Sequence, residues 1–185
     1  MNSGLTELEK RTLIYLNFRG EASEEQITMV RKAIDEVKSV ARPVFTVKYY
    51  KIAECPIDLS FNSLQSMFEK GGSDSVAFLV STLGVSVDKR IDRLKDSDPA
   101  KMVLFDAASN AYIEEVTNEY QRKLELKSQT FRFAPGYGDV PLTLQRQIFD
   151  NIPEISKMGL TLDDGCLMHP FKSMTGIIGF RTVEV

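Results

Sequence analysis

The chain has very little of the chemistry that many enzymes and metal sites use. Its 185 residues include no tryptophan, one histidine (His169) and two cysteines, Cys55 and Cys166, that lie far apart. A single histidine excludes catalytic schemes built on two histidines and most histidine-rich metal sites, and the cysteine spacing matches no metal-binding motif. We therefore expect two reduced thiols, no metal site and no catalytic side chain.

Long apolar runs and basic runs are also missing. No stretch approaches the roughly 20 uncharged apolar residues of a membrane span, and residues 1–25 lack the basic start and apolar centre of a signal peptide. The 23 Lys and Arg residues are mixed with 26 Asp and Glu residues, for a net charge of −3, whereas nucleic-acid binding needs a concentrated positive surface. The sequence thus predicts a cytoplasmic protein with neither nucleic-acid nor membrane partners.

Apolar periodicity and turn residues predict a mixture of helices and strands. Ser23 and Gln26 form a capping box at the start of a helix that ends at Arg42-Pro43, because the residue before proline avoids the helical region. Residues 44–50 alternate like a half-buried strand, and 75–83 are nearly all apolar, as in a central strand buried on both faces. Further predictions are a short helix containing Leu64, Met67 and Phe68, helices over about 85–98, 99–127 and 141–149, a short strand around Arg132, and a final strand over 174–180.

The length and the composition favour one domain. A chain of 185 residues with 43% hydrophobic content can enclose one ordinary core, whereas two domains would each be small. We find no internal repeat. The prediction is a single α+β domain over residues 1–185, in which residues 1–22 are an N-terminal extension or a first helix.

The most unusual local composition is the segment 132–141, RFAPGYGDVP. Two prolines and two glycines within ten residues define an irregular but well-determined loop, in which Gly136 can take a positive φ. Arg132 offers a planar fork suited to a carboxylate, and the ring of Tyr137 suits an adenine or a sulfonium cation, a cation contact being worth roughly 0.5–2 kcal/mol. The alternative is a rigid surface turn whose arginine pairs with a nearby acid, and the spacing alone favours it.

This segment resembles the Arg-x-x-Pro-Gly-Tyr signature of the S-adenosylmethionine-binding activation domain of cobalamin-dependent methionine synthase. The downstream segment 160–176, LTLDDGCLMHPFKSMTG, is similar to the family's second block, an apolar stretch that contains Met-Pro and runs into a strand. The segments 81–84 and 105–111 resemble small free-standing members of the same family. The resemblance covers most of the chain from about Ile34 onward.

The resemblance implies a twisted, mainly antiparallel sheet with flanking helices and an S-adenosylmethionine pocket. In the family, the signature arginine binds the carboxylate of the ligand, the following residues present backbone to the adenine, and the tyrosine lines the site. These roles fall on Arg132, Phe133, Ala134 and Tyr137. We add Gly136 of the same loop, and Leu167 of the second block, to the predicted cofactor-binding residues.

The chain departs from the family pattern at three places. The second block often carries a tyrosine where this chain has Cys166. A family acid on the long helix, which contacts the amino end of the ligand, corresponds to Asn110, with Glu114 one turn further along. No residue matches the family's acidic contact near the N-terminus. Weaker or altered ligand binding is therefore an open alternative.

The resemblance implies an activation subunit that supports reductive remethylation of an oxidised cobalamin or other corrinoid. The corrinoid would be carried by a partner, a corrinoid-binding protein or the methionine synthase core. The chain would thus be part of a cobalamin-dependent methyltransferase in methionine biosynthesis or another corrinoid pathway, and the sequence leaves open whether it is an enzyme by itself. Lys89, Arg90, Arg93 and Lys95 form a positive helix face that suits an acidic, flavodoxin-like electron donor.

Two alternatives remain from the sequence. The first is a non-catalytic corrinoid-protein-binding or ligand-sensing module that has lost productive S-adenosylmethionine binding. The second is an independent methyltransferase for a small molecule, which is disfavoured because the chain has no glycine-rich Rossmann turn and no evident acid–base pair.

Overall fold

The structure is a computed structural model that describes residues 4–182. Helices predominate, and the longest of them lies near the middle of the chain. In chain order the elements are α1 (Glu7–Tyr15), α2 (Glu24–Val40), β1 (Val44–Lys51), a 3₁₀ turn (Ile52–Glu54), α3 (Asn62–Gly71), β2 (Ser75–Thr82), α4 (Val85–Ser97), α5 (Pro99–Lys123), α6 (Leu144–Asn151), α7 (Glu154–Lys157), β3 (Thr161–Leu162), β4 (Met168–His169) and β5 (Ser173–Phe180).

The main sheet has three antiparallel strands in the order β1-β2-β5. Every residue of the central strand β2 is buried, as its almost entirely apolar sequence predicts. Leu79 of β2 pairs with Val47 of β1 and with Gly176 of β5, which fixes the register of both neighbours. The short strands β3 and β4 form a separate two-stranded pair. The predicted α+β class with an antiparallel sheet and flanking helices is confirmed.

Helices cover both faces of the sheet. Phe78 and Val80 of β2 pack in a core that includes side chains of α3, α6 and α7, whereas Leu79 points to the opposite face and packs near Tyr120 of α5. A further apolar cluster joins α1, α2, α4 and α5. The long helix α5 therefore lies against the sheet on one side and against three other helices on the other.

Most of the sequence-based elements are confirmed. The capping box of Ser23 and Gln26 starts α2, and Gly72 ends α3 in the left-handed conformation. Both cysteines are free. Helix α5 ends at Lys123 rather than near residue 127, and α6 begins at Leu144 rather than at residue 141. None of the helices in residues 4–182 is both long and apolar enough to span a membrane.

The predicted strand around Arg132 is wrong. Only one bridge forms there, between Phe133 and Ile177 of β5. An antiparallel ladder would next need an N–H from residue 135, which is a proline and has none. On the other side, Thr130 rather than Phe131 donates its N–H to the carbonyl of Gly179, so the register slips by one residue. The segment therefore touches the sheet at one point and then leaves it as a loop.

Candidate functional site

A cavity of about 310 Å³ lies where the 131–137 segment passes over β5 and α5. This volume is at the lower end of the range typical of small-molecule sites. Its walls come from three parts of the chain that are distant in sequence. The lining residues are Glu114 of α5, Phe131, Arg132, Phe133, Ala134 and Tyr137 of the segment, and Met174 and Thr175 of β5.

A tight turn sets the conformation of the loop beside this cavity. The N–H of Tyr137 donates to the carbonyl of Ala134 at 3.3 Å, across buried Pro135 and across Gly136, whose φ is +93°. Proline followed by a residue with positive φ is the pattern of a type II turn, so the positive φ predicted for Gly136 is confirmed. A second bond, from the N–H of Gly136 to the carbonyl of Val140 at 2.9 Å, closes the loop.

Asp139 anchors the far end of the loop to α3. Its two carboxylate oxygens accept from the N–H groups of Asn62 and Ser63 at 2.7 and 3.1 Å. Hydrogen bonds from Ser63, the side chain before the backbone, and from the backbone of Asn62 lower the pKa of Asp139. This aspartate therefore caps a helix and forms no ion pair with Arg132.

Arg132 is half-buried and has no acidic partner in the part of the chain that the structure describes. Its Nη1 donates to Oε1 of Gln121 at 2.8 Å, and its Nη2 lies 3.9 Å from the sulfur of Met174. Burial lowers the pKa of the guanidinium, although Glu114 acts in the opposite direction. The guanidinium has five N–H donors, so these two contacts leave donors for a further acceptor.

Gly176 of β5 allows Arg132 to lie flat against the sheet. A Cβ at this glycine would be 2.1 Å from Cδ and 2.3 Å from Cγ of Arg132, closer than two non-bonded carbon atoms can approach. The direction of the Arg132 side chain therefore depends on the absence of a Cβ at residue 176. Sequence reasoning did not single out Gly176, although an isolated glycine inside an apolar strand can indicate such a close approach.

Glu114 supplies the opposite charge in the same cavity. Its Oε2 accepts from Nη1 of Arg11 at 2.8 Å, and its Oε1 accepts from the hydroxyl of Tyr15, both residues of α1. The Glu114 side chain remains 32% exposed, so these two bonds do not close it off from a ligand. Arg11 and Tyr15 were not predicted from the sequence, and no local pattern pairs them with a residue about a hundred positions away.

Two aromatic rings stand at the edge of the cavity. Tyr137 is 69% exposed and Phe131 is 66% exposed, large fractions for residues of this size. Phe131 also contacts Phe133, with 6.0 Å between ring centroids. The cavity thus combines a cation, a carboxylate and open ring faces.

The structure brings together five of the nine predicted binding residues. Arg132, Phe133, Ala134, Tyr137 and Glu114 line the cavity, and Gly136 shapes the turn without lining it. Asn110, Cys166 and Leu167 do not line it. The side chain of Asn110 holds Lys172 and Asp106; Cys166 is buried, with its carbonyl bonded to Gln145; and Leu167 is 48% exposed.

A larger cavity of about 720 Å³ lies elsewhere along α5, between α4 and the segment that follows β4. Its cation, Lys172, is only 12% exposed and is paired, with Nζ 2.7 Å from Asp106 and 2.7 Å from Oδ1 of Asn110. His169 lies in its wall, 3.2 Å from Oδ2 of Asp163 and in edge contact with Phe171. The cation of this region is therefore paired within the protein, whereas Oδ1 of Asp88, which also lines the cavity, is buried without a hydrogen-bond partner.

Two further sequence-based expectations concern charge and metals. Within residues 4–182, no group of three or more His, Cys, Asp or Glu side chains is placed to hold a metal ion. On the positive face of α4, Arg90 pairs with Glu36 of α2, so its charge is partly neutralised there. That this face binds an acidic electron donor stays a prediction.

Comparisons with known proteins give a likeness of fold. No protein-family model matches the chain, and no curated protein sequence matches it. Among solved structures, the crystal structure of the MetH reactivation domain bound to AdoHcy is similar, with a TM-score of 0.64 and 14% sequence identity. The match covers 93% of this chain and 75% of that chain. The protein thus has the fold of a methionine synthase reactivation domain.

Proposed function

We propose that the protein binds S-adenosylmethionine in the Arg132 cavity. The observation that carries this proposal is the half-buried Arg132 guanidinium, which lines an open cavity with no carboxylate partner among the described residues. Partial desolvation of a cation is unfavourable unless an anion compensates it. A ligand carboxylate would form a charge-assisted, two-pronged hydrogen bond with the free donors of this guanidinium.

The two charges of the cavity match an amino acid. Free α-amino acids carry a carboxylate and an ammonium group on the same carbon, and the cavity offers Arg132 for the first and Glu114 for the second. A simple carboxylic acid would leave Glu114 without a ligand partner. Glu114, rather than Asn110, is therefore proposed to bind the amino end, because Asn110 is occupied by Lys172.

The rest of the cavity suits a nucleoside. Phe133 is the residue bonded to Ile177, so the backbone N–H of Ala134 points away from β5 and is available to an adenine acceptor. The exposed rings of Tyr137 and Phe131 offer faces for stacking and for a sulfonium cation. The structural neighbour was crystallised with AdoHcy, which has the same amino-acid and nucleoside parts as S-adenosylmethionine, and this supports the assignment.

The wider proposal is an activation subunit for a corrinoid protein. In this role an oxidised corrinoid, bound to a partner chain, would accept one electron from a reduced donor and then the methyl group of S-adenosylmethionine, which would leave as S-adenosylhomocysteine. The protein contributes orientation, because holding the sulfonium methyl in one place converts an encounter of separate molecules into an aligned transfer. The corrinoid supplies the chemistry, so the proposal assigns no catalytic side chain.

Calorimetric titration with S-adenosylmethionine tests the binding step. We expect saturable binding, and we expect Arg132→Ala to weaken it by about 2 kcal/mol, or about thirtyfold, the typical loss for a hydrogen bond to a charged group. Arg93→Ala, which removes an exposed arginine of α4, serves as the control and should bind like the unaltered protein. Absence of heat and of any thermal shift with the unaltered protein would reject S-adenosylmethionine binding.

Corrinoid remethylation tests the wider role. The assay contains an oxidised corrinoid protein, a reductant and S-adenosylmethionine, and the proposal requires that methylcorrinoid formation depends on this protein. The alternative, a corrinoid-protein-binding or ligand-sensing module without productive S-adenosylmethionine binding, is favoured by the positions of Asn110 and Cys166 outside the cavity. Binding of the corrinoid protein without any binding of S-adenosylmethionine would establish that alternative.

A further inference from the structure

We infer that α1 is part of the ligand site, in which Tyr15 and Arg11 are positioning residues that hold the Glu114 carboxylate toward the bound amino group. The inference rests on the proposed function, because it assigns a role to residues behind that same cavity. It makes the N-terminal helix a component of ligand recognition.

The contacts of Glu114 carry the inference. Each carboxylate oxygen receives one donor from α1, the Arg11 guanidinium at Oε2 and the Tyr15 hydroxyl at Oε1. A carboxylate has about four acceptor positions, so two remain for a ligand. Two donors on separate oxygens also restrict the rotation of a side chain that is otherwise one-third exposed. The carboxylate is thus fixed in place before a ligand arrives, which lowers the entropy cost of binding.

Helix α1 is held firmly enough to act as a fixed wall. A capping box between Thr6 and Glu9 defines its start, and Leu8 and Leu13 are buried in the cluster shared with α2 and α5. Glu9 is almost fully buried and bonds Nε of Arg31 on α2 at 2.6 Å. These contacts join α1 to α2 and α5 along its length, as expected for a permanent part of the fold.

Tyr15 is the better residue to test. Burial raises the pKa of its hydroxyl, with further contributions from Glu114 and from Tyr137. The hydroxyl is therefore protonated and a donor at neutral pH. Arg11 carries a charge that repels a ligand ammonium group, so its removal would mix two opposing effects.

The test compares two ligands on the variant Tyr15→Phe. S-adenosylmethionine has the amino group that Glu114 would bind, whereas 5′-methylthioadenosine keeps the nucleoside and the S-methyl group but lacks the amino-acid end and the positive charge on sulfur. We expect the dissociation constant for S-adenosylmethionine to rise about fivefold, typical of one lost hydrogen bond, and that for 5′-methylthioadenosine to stay the same. Tyr49→Phe is the matched control, since Tyr49 of β1 is 44% exposed against 43% for Tyr15 and does not line the cavity.

A double-mutant cycle shows whether Tyr15 acts through Glu114. In the Glu114→Ala background, Tyr15→Phe should have no further effect on S-adenosylmethionine binding, because the group that it positions is gone. Equal losses for both ligands, additive effects in the cycle, or unchanged affinity in Tyr15→Phe would each overturn the inference while S-adenosylmethionine binding stands. Failure of the unaltered protein to bind S-adenosylmethionine would instead reject the proposed function, and this inference with it.

Discussion

The two cavities along α5 hold their cations in opposite ways. In the larger cavity, Lys172 is nearly buried and pairs with Asp106 and Asn110 of the facing helix. In the smaller cavity, Arg132 bonds the neutral Gln121. The carboxylate of that cavity, Glu114, bonds Arg11 of α1 instead of Arg132. Cavity volume alone would favour the larger one. The state of the cations favours the smaller one, because a partly buried cation without a carboxylate partner is the feature that an anionic ligand would complete.

The variant Gly176→Ala tests most directly whether ligand binding depends on Arg132. The new methyl group would overlap the arginine side chain and displace it without changing any charge. We expect S-adenosylmethionine affinity to fall more than tenfold, whereas the free energy of unfolding changes by less than about 1 kcal/mol, since alanine is better suited to a strand than glycine. Titration calorimetry and urea unfolding measure the two quantities.

Gly179→Ala on the same strand provides the matched control. Residues 176 and 179 point to opposite faces of β5, and a Cβ at Gly179 would be 2.6 Å from Oγ of Ser73 and 2.7 Å from Phe68. This variant should lose stability and keep its ligand affinity. If Gly176→Ala and Gly179→Ala behaved alike, the special relation between Gly176 and Arg132 would be refuted.

A second variant tests the claim that the cation of the larger cavity is paired within the protein. Lys172→Met keeps most of the apolar stem but leaves Asp106 and Asn110 without the ammonium group. We expect a loss of about 1 kcal/mol in the free energy of unfolding, a modest value because Asp106 is 37% exposed, and no change in S-adenosylmethionine affinity. A loss of affinity similar to that of Arg132→Ala would show that the two cavities act together.

The smallest expected effect is on the pH dependence of the unfolding free energy, through Asp163 near the larger cavity. The N–H of Leu167 and then the ring of His169 lower the pKa of Asp163 below its usual 3.8. Because the folded-state pKa is depressed, the stabilisation is complete above about 3.8 and is lost as the pH falls through the lower folded-state value. Asp163→Asn should therefore show a weaker decline of unfolding free energy in acid. Chemical unfolding at several pH values measures this, and identical declines would contradict it.

The fold was largely predictable because its signals are local. The capping box of Ser23 and Gln26 predicted the start of α2. The same pattern at Thr6 and Glu9 starts α1, although no helix was predicted from it. The strand predicted around Arg132 failed because alternating aromatic residues imitate a strand, whereas the missing N–H of Pro135 stops the ladder.

The site was predictable only in part because its other half is non-local. The Arg132 loop is a contiguous motif, and its backbone could be anticipated from proline and glycine. The engagement of Asn110 by Lys172 and of Glu114 by Arg11 depends on how distant elements pack. Helical spacing placed Asn110 and Glu114 on one face, but only tertiary contacts decide which of them is available to a ligand.

Because Asp139 caps α3, the exchange of two backbone amides of that helix should depend on the state of the Pro-Gly-Tyr loop. Since the Asp139 carboxylate accepts from the N–H groups of Asn62 and Ser63, we expect the Pro-Gly-Tyr loop and the first turn of α3 to open to solvent together. Occupancy of the cavity that steadies the loop would then slow hydrogen–deuterium exchange at residues 62 and 63, which do not line that cavity.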